Sequence, residues 1–204
     1  DSDDDSEDKY LGEDWLNFFE GYAQHASSEE LRDLWGKLLA GEIRKPGTFS
    51  LSTIRFIAEL DKEIAEKFQE VATYMLPDGA VLRPKNLRGQ DLLDYTFLEE
   101  VGLLQEVNGN LSLATSKDKE GYQLCVINEY LLQCDSNKDV IIPVIRVTRV
   151  GREVSIILPK ESSFNISKKI ADYIADQCSH IYIHRIIRQY SDGTIEHEQV
   201  DKPV

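Results

Sequence analysis

The 204-residue chain has few of the features that announce a chemistry. It holds three cysteines, Cys125, Cys134 and Cys178, widely spaced and set among apolar residues. A disulfide framework needs more of them in a shorter chain, and a zinc site needs close pairs such as C-x2-C. They read as free thiols that serve as small buried hydrophobes in a reducing compartment. No apolar run approaches the roughly 20 residues that span a bilayer, and no signal-peptide pattern is visible. The P-loop, G-x-S-x-G, H-E-x-x-H and G-x-G-x-x-G patterns are absent. No catalytic, metal-binding or cofactor-binding residue is therefore assigned.

Basic charge is scarce too: 23 Lys and Arg stand against 37 Asp and Glu, a net charge of −14. Asp1, Asp3, Asp4, Asp5, Glu7 and Asp8 crowd the first eight residues, and such a run repels itself and buries nothing. Residues 1–9 are expected to be a disordered acidic tail or linker. Met75 is the only methionine, so the chain is expected to be a segment of something longer. An acidic body argues against recruitment of nucleic acid by counterion release.

What is present is a run of amphipathic patterns. Trp15, Phe18, Phe19 and Tyr22 fall on one helical stripe, read as core rather than as a partner groove. Ser27 and Glu30 have capping-box spacing before a second helix with Leu31, Leu34, Trp35, Leu38, Leu39 and Ile43 on one face. Lys45-Pro46-Gly47 stops it. Residues 10–47 thus predict a helical hairpin.

Residues 48–116 read as a winged-helix-like module. A short helix from Ser50 or Ser52 shows Ile54, Ile57 and Ala58; a second, capped by Asp61, shows Ile64, Phe68, Val71, Ala72 and Met75. Pro77-Asp78-Gly79 breaks it, and Val81-Leu82 suits a short strand. Gln90 to Val101 predicts a helix with Leu93, Phe97 and Val101 inward. Asn108-Gly109 between Leu103–Val107 and Asn110–Ala114 predicts a type I′ hairpin. Residues 117–204 predict a strand-rich α+β region. Its strands are Tyr122–Ile127, Val140–Val150, Glu153–Leu158, His180–Tyr190 and Thr194–Val200, turned at Gly151 and at Asp192-Gly193. Ser163 or Asn165 caps its one helix. The fold class is α+β.

A winged helix invites a DNA-binding reading, but the helix that would enter the groove carries Asp91, Asp94, Glu99 and Glu100 and no cation. Arg83, Lys85 and Arg88, just before it, keep nucleic-acid binding as the alternative. Of the histidines, His180, His184 and His197 lie in the terminal hairpin. On a regular strand His180 and His184 stand roughly 13 Å apart, and a two-residue turn pairs residue 197 with 188, so the three read as solvent-facing or edge-strand histidines rather than as metal ligands. The acidic pairs Asp172/Asp176 and Glu196/Glu198 read as solvated faces, which leaves a metal-dependent hydrolase as the weakest reading.

The segment Leu31-Arg32-Asp33-Leu34-Trp35-Gly36-Lys37-Leu38-Leu39-Ala40-Gly41-Glu42-Ile43, followed by Pro46-Gly47 and Phe49-Ser50-Leu51, resembles a bacterial family known as domain of unknown function 2806. It is more distantly similar to the Abi-alpha family of abortive infection. Both share a Leu-Trp-x-x-Leu-Leu helix and a later Gly-Leu-Leu, here Val101-Gly102-Leu103-Leu104. The stretch Val147-Thr148-Arg149-Val150-Gly151-Arg152-Glu153-Val154 is similar to a Leu-Thr-x-x-Gly-x-Glu-Leu turn, with Val in place of the first Leu. These are packing and turn positions without a reactive group. The resemblance, over most of residues 14–200, implies a bacterial, cytoplasmic protein associated with phage defence. Together with the missing site chemistry it leads to a non-enzymatic interaction or regulatory module. Its partner is expected to be a protein rather than nucleic acid, with homo-oligomerisation open and no membrane contact from this segment.

Overall fold

A computed structural model describes residues 11–191 and 194–200. The acidic run, the Asp192-Gly193 turn and the side chain of Glu30 lie outside the described residues. The protein is α+β, with helices packed around two antiparallel sheets.

α1 (Glu13–Ala23), α2 (Glu29–Arg44), α3 (Leu51–Glu59) and α4 (Lys62–Ala72) follow one another through short connections. Trp15 and Phe19 of the aromatic stripe are buried and stacked 5.2 Å apart, and Phe19 meets Trp35 edge-on at 5.4 Å. Trp15 Nε1 donates to Phe49 O at 2.9 Å, so its one polar atom is satisfied inside the core. Phe18 is 37 % exposed, and Ile43 and Ala58 also face outward. α2 is capped by Ser28, whose hydroxyl accepts from Leu31 N–H, not by Ser27. α3 is capped by Ser50 and α4 by Asp61, whose carboxylate accepts from Ile64 N–H at 2.8 Å.

β1 (Ala80–Leu82), α5 (Gln90–Glu100) and β2 (Leu104–Gln105) come next, and here the chain departs from the sequence expectation. The Asn108-Gly109 hairpin does not form. Glu106, at φ 59, takes the left-handed position, and Gly109 N–H closes onto Glu106 O. β2 pairs instead with β6 (Val144–Val147), which also pairs with β1, giving the order β1-β6-β2. Ile145 and Val147 are fully buried, more apolar area than Asn110-Leu111-Ser112 could bring to the same place. On α5 the fully buried residue is Leu98, while Leu93 is 63 % exposed and Phe97 and Val101 are half-buried.

The segment between β2 and β6 holds β3 (Ser116–Lys117), β4 (Gln123–Ile127) and β5 (Tyr130–Asp135). With β7 (His180–Gln189) and β8 (Ile195–Gln199) these form a five-stranded sheet in the order β3-β4-β5-β7-β8. The sequence reading missed β5, because its turn is Asn128-Glu129 rather than Asn-Gly; Asn128 alone takes positive φ, at 53°. Glu153–Leu158 is not a strand: residues Arg149–Ser155 form α6. Thr148 caps it, accepting from Gly151 N–H at 3.0 Å, and Gly151 lies inside the helix rather than in a turn. β-branched content pointed to a strand, but the cap and the i, i+4 pair Val150/Val154 suit a helix laid against the first core. α7 (Ser163–Ile174), capped by Ser162 and continued by a 3-10 turn (Ala175–Gln177), covers one face of the larger sheet.

Two cores result, with the small sheet between them. Val81, Ile145 and Val147 face the core of α1–α6; Ala80, Leu82 and Val144 face the core of α7 and the larger sheet. Period-two alternation along β1 and β6 makes each strand serve both.

Candidate functional site

The clearest gathering of cations and aromatic rings on this acidic protein lies where the β1–α5 connection crosses α7. Pro84 follows Arg83 directly after β1 and cannot extend the ladder, so the chain leaves the sheet there. Arg83 is anchored first: its N–H donates to Pro143 O at 3.0 Å and its guanidinium to Gly109 O. Lys85 ion-pairs with Asp176 at 2.8 Å and sits 5.1 Å from the centre of the Tyr173 ring. Lys169, one turn before Tyr173 on α7, lays its ammonium 3.2 Å from the Tyr74 ring centre.

These groups bound a cleft of about 410 Å³, lined by Arg83, Lys85, Tyr95, Lys169, Asp172 and Tyr173 among others. A neighbouring cleft of about 530 Å³ shares Lys85 and Tyr173 and reaches Ile141, Asp176 and Gln177. Both are open depressions rather than closed pockets. Burial pushes the Lys169 ammonium below its ordinary range, while the hydrogen bond from Lys85 holds the Asp176 carboxyl below its own. The Tyr95 phenol is pushed up to about 12 by burial, with Asp91 and Glu70 adding to the effect.

Of the cations singled out in the sequence, Arg83 and Lys85 line the cleft. Arg88 is exposed on the loop before α5 and is not among the residues that line it. Lys169 and Tyr173 were missed, although their i, i+4 spacing on one helix was a usable signal. The acidic α5 residues are partly structural: Asp94 pairs with Lys67 at 2.7 Å, and the Glu99 carboxylate accepts from Val107 N–H at 3.1 Å. Asp172 and Asp176 are divided between the cleft wall and Lys85. Glu196 and Glu198 stand opposite Arg188 and Arg185 across the β7–β8 ladder.

The three cysteines, distant in sequence, belong to the second core, Cys125 and Cys134 buried and Cys178 half-buried. Burial pushes the Cys125 thiol up to about 11 and raises the other two. These are not activated nucleophiles.

The terminal hairpin corrects the histidine geometry. Arg188 pairs with Glu196, one residue off the expected register, and a further shift between Ile186 and Arg188 places His197 opposite Ile186 rather than residue 188. Its ring then lies 4.3 Å from that of His184, so two of the three histidines are brought together. Among the described residues, no group of three or more His, Cys, Asp or Glu is placed to hold a metal ion. Nor, among them, is any helix long and apolar enough to cross a membrane.

Residues 1–80 match the model of a family described as a protein of unknown function, DUF2806. That stretch runs through α4 to the first residue of β1, and so stops short of Arg83, Lys85, Lys169 and Tyr173. Neither a curated protein nor a solved structure matches the chain.

Proposed function

We propose that this protein is a non-catalytic interaction module that receives an acidic segment of a protein partner in the Arg83–Lys85–Lys169–Tyr173 cleft. The observation that carries the reading is the convergence of three cations and two tyrosines, Tyr95 and Tyr173, in a chain of net charge −14. Arg83 is already fixed by backbone carbonyls, so little side-chain freedom is lost when it meets a carboxylate. Lys85 can exchange the exposed Asp176 for a partner's acid.

The nucleic-acid alternative, resting on Arg83, Lys85 and Arg88, is weaker. A backbone of phosphates needs a track of cations, and α5 beside the cleft presents Asp91 and Glu100 to solvent. A bacterial, cytoplasmic setting and a role in phage defence rest on the family resemblance alone. A regulatory rather than enzymatic role accords with thiols whose burial disfavours the thiolate.

Lysine cross-linking of the tagged protein purified from its host tests this. The expected result is a protein partner cross-linked at Lys85 and Lys169, lost in Arg83→Glu/Lys85→Glu with the circular dichroism unchanged. Nucleic acid in the eluate, seen in the 260/280 nm ratio and removed by the same pair of changes, would replace this reading with the alternative. Cross-links that avoid both lysines would refute the cleft as the docking place.

A further inference from the structure

The face of the five-stranded sheet turned away from α7 carries an imidazole with one nitrogen unaccounted for. His184 is 7 % exposed, and its Nε2 lies 3.1 Å from Gln133 Oε1. The same Gln133 amide donates its NH2 to Asp118 Oδ2 at 3.0 Å. A carboxylate only accepts, so Asp118 orients the amide with its NH2 outward and its carbonyl toward His184. A carbonyl also only accepts, so Nε2 of His184 must carry the proton. That leaves Nδ1 as a bare lone pair, and it is buried with no hydrogen-bond partner.

The ring of His197 packs against that of His184, 4.3 Å away centre to centre and at 66°. The strand bulge is what brings it there. A buried acceptor left unpaired costs about 1–3 kcal/mol, and native proteins rarely carry one without a ligand, water or ion. The Asp118–Gln133–His184 chain is also the arrangement that orients a metal-ligating histidine: its far N–H is held so that the near nitrogen points at the ion. His180 takes no part, since it faces Asp135 at 3.8 Å and stacks on Tyr182.

We propose that His184 Nδ1 and His197 form a two-histidine site for an imidazole-preferring divalent transition-metal ion, zinc(II) first among them. Zinc sits about 2.0–2.1 Å from each nitrogen, so His197, on the edge strand, rotates out of its edge-on packing to share the ion. Water fills the remaining positions, which makes this an open site and not a structural cage. It is independent of the Lys85 cleft, and its test does not depend on a partner.

The full chain, stripped with a chelator, is titrated with zinc chloride by calorimetry. One ion per chain is expected. Gln133→Leu, which removes the orienting carbonyl, weakens binding by about 10–100-fold, and His197→Ala weakens it at least as much. His180→Ala leaves it unchanged. His197 is on a solvent-facing edge strand, so its removal is expected to leave the melting temperature of the metal-free protein in place. Long-range 1H–15N spectra give a second readout: His184 is protonated at Nε2 without metal, and its Nδ1 resonance moves with zinc. Absence of binding overturns the site, as does zinc held equally well by His197→Ala, or a His184 protonated at Nδ1.

Discussion

At the residue scale the molecule is marked by two buried carboxylates that hold the chain around the start of α3. Glu42 is 3 % exposed and accepts from Gly47 N–H at 2.5 Å and Phe49 N–H at 2.9 Å. Glu153, from α6 about a hundred residues away, takes over at the next position. Its Oε2 accepts from Ser50 N–H at 2.6 Å, Ser50 Oγ at 2.8 Å and Thr53 Oγ1 at 2.7 Å; its Oε1 accepts from Arg149 Nε at 2.6 Å. A carboxylate at a helix N-terminus meets unpaired amides and the positive end of the dipole. Burial alone would raise the Glu153 pKa; the Ser50 amide, Thr53, Arg149 and the Ser50 hydroxyl outweigh it and hold it below the ordinary 4.5. Glu153→Ala leaves those donors facing a void, and a loss of about 3 kcal/mol is expected in urea unfolding. The pH dependence has a definite sign. Because the folded value is the lower one, the stabilisation is complete above the unfolded value near 4.5 and is lost as pH falls through the folded value. The stability gap between the native protein and Glu153→Gln should stay constant at neutral pH and close below about pH 4.5. A gap that widened on acidification would contradict this account. Nothing in the sequence near Glu153 announces the role, since its partners lie on α3 and become neighbours only when α6 packs there.

At the scale of elements, what was legible is what local chemistry decides. The caps Ser50 and Asp61 and the stripe of Trp15 and Phe19 were readable, because a helix start needs a side-chain acceptor and a buried face needs apolar spacing. What was illegible is what tertiary burial decides: α6, β5, the β2–β6 pairing, and the strand register at His197. In the cleft, Arg83 and Lys85 were readable as charge, whereas Lys169 needed the placement of α7. Two glycines put the distinction to a test. Gly36, in α2, has nothing within 4 Å of an added Cβ, so Gly36→Ala should stabilise by about 0.5–1 kcal/mol through helix propensity. Gly151, in α6, would place a Cβ against Leu103 O and Val147 Cγ1. The first of those is backbone and cannot move aside, so Gly151→Ala should destabilise by about 1–3 kcal/mol despite the same propensity gain. On α5, Leu98→Ala should cost about 2–5 kcal/mol and Leu93→Ala about 0.5 or less, which measures the helix's actual orientation. Equal costs for the two leucines would return the inward face to the one read from sequence.

At the scale of the whole molecule the question is whether the two cores are two folding units. The small sheet answers it through β6. Ile145 and Val147 complete the first core and Val144 joins the second, while β1 divides Val81 from Ala80 and Leu82 in the same way. β6 is the central strand, so removing it leaves β1 and β2 without a partner in that sheet. Val154, Ile157 and the Glu153 carboxylate, all in the first core or bound to it, also come from the distal part of the chain. A fragment of residues 1–116 therefore loses interior contacts of the first core as well as the second, and it should lack a cooperative transition. Both tryptophans, Trp15 and Trp35, report on the first core, whereas Cys125 and Cys134 report on the second. In the intact chain the shared sheet couples them, so urea should shift tryptophan emission and expose the thiols at one midpoint. Two separated midpoints, or a fragment 1–116 with a sharp tryptophan transition, would show that the cores fold alone and that β6 is merely docked.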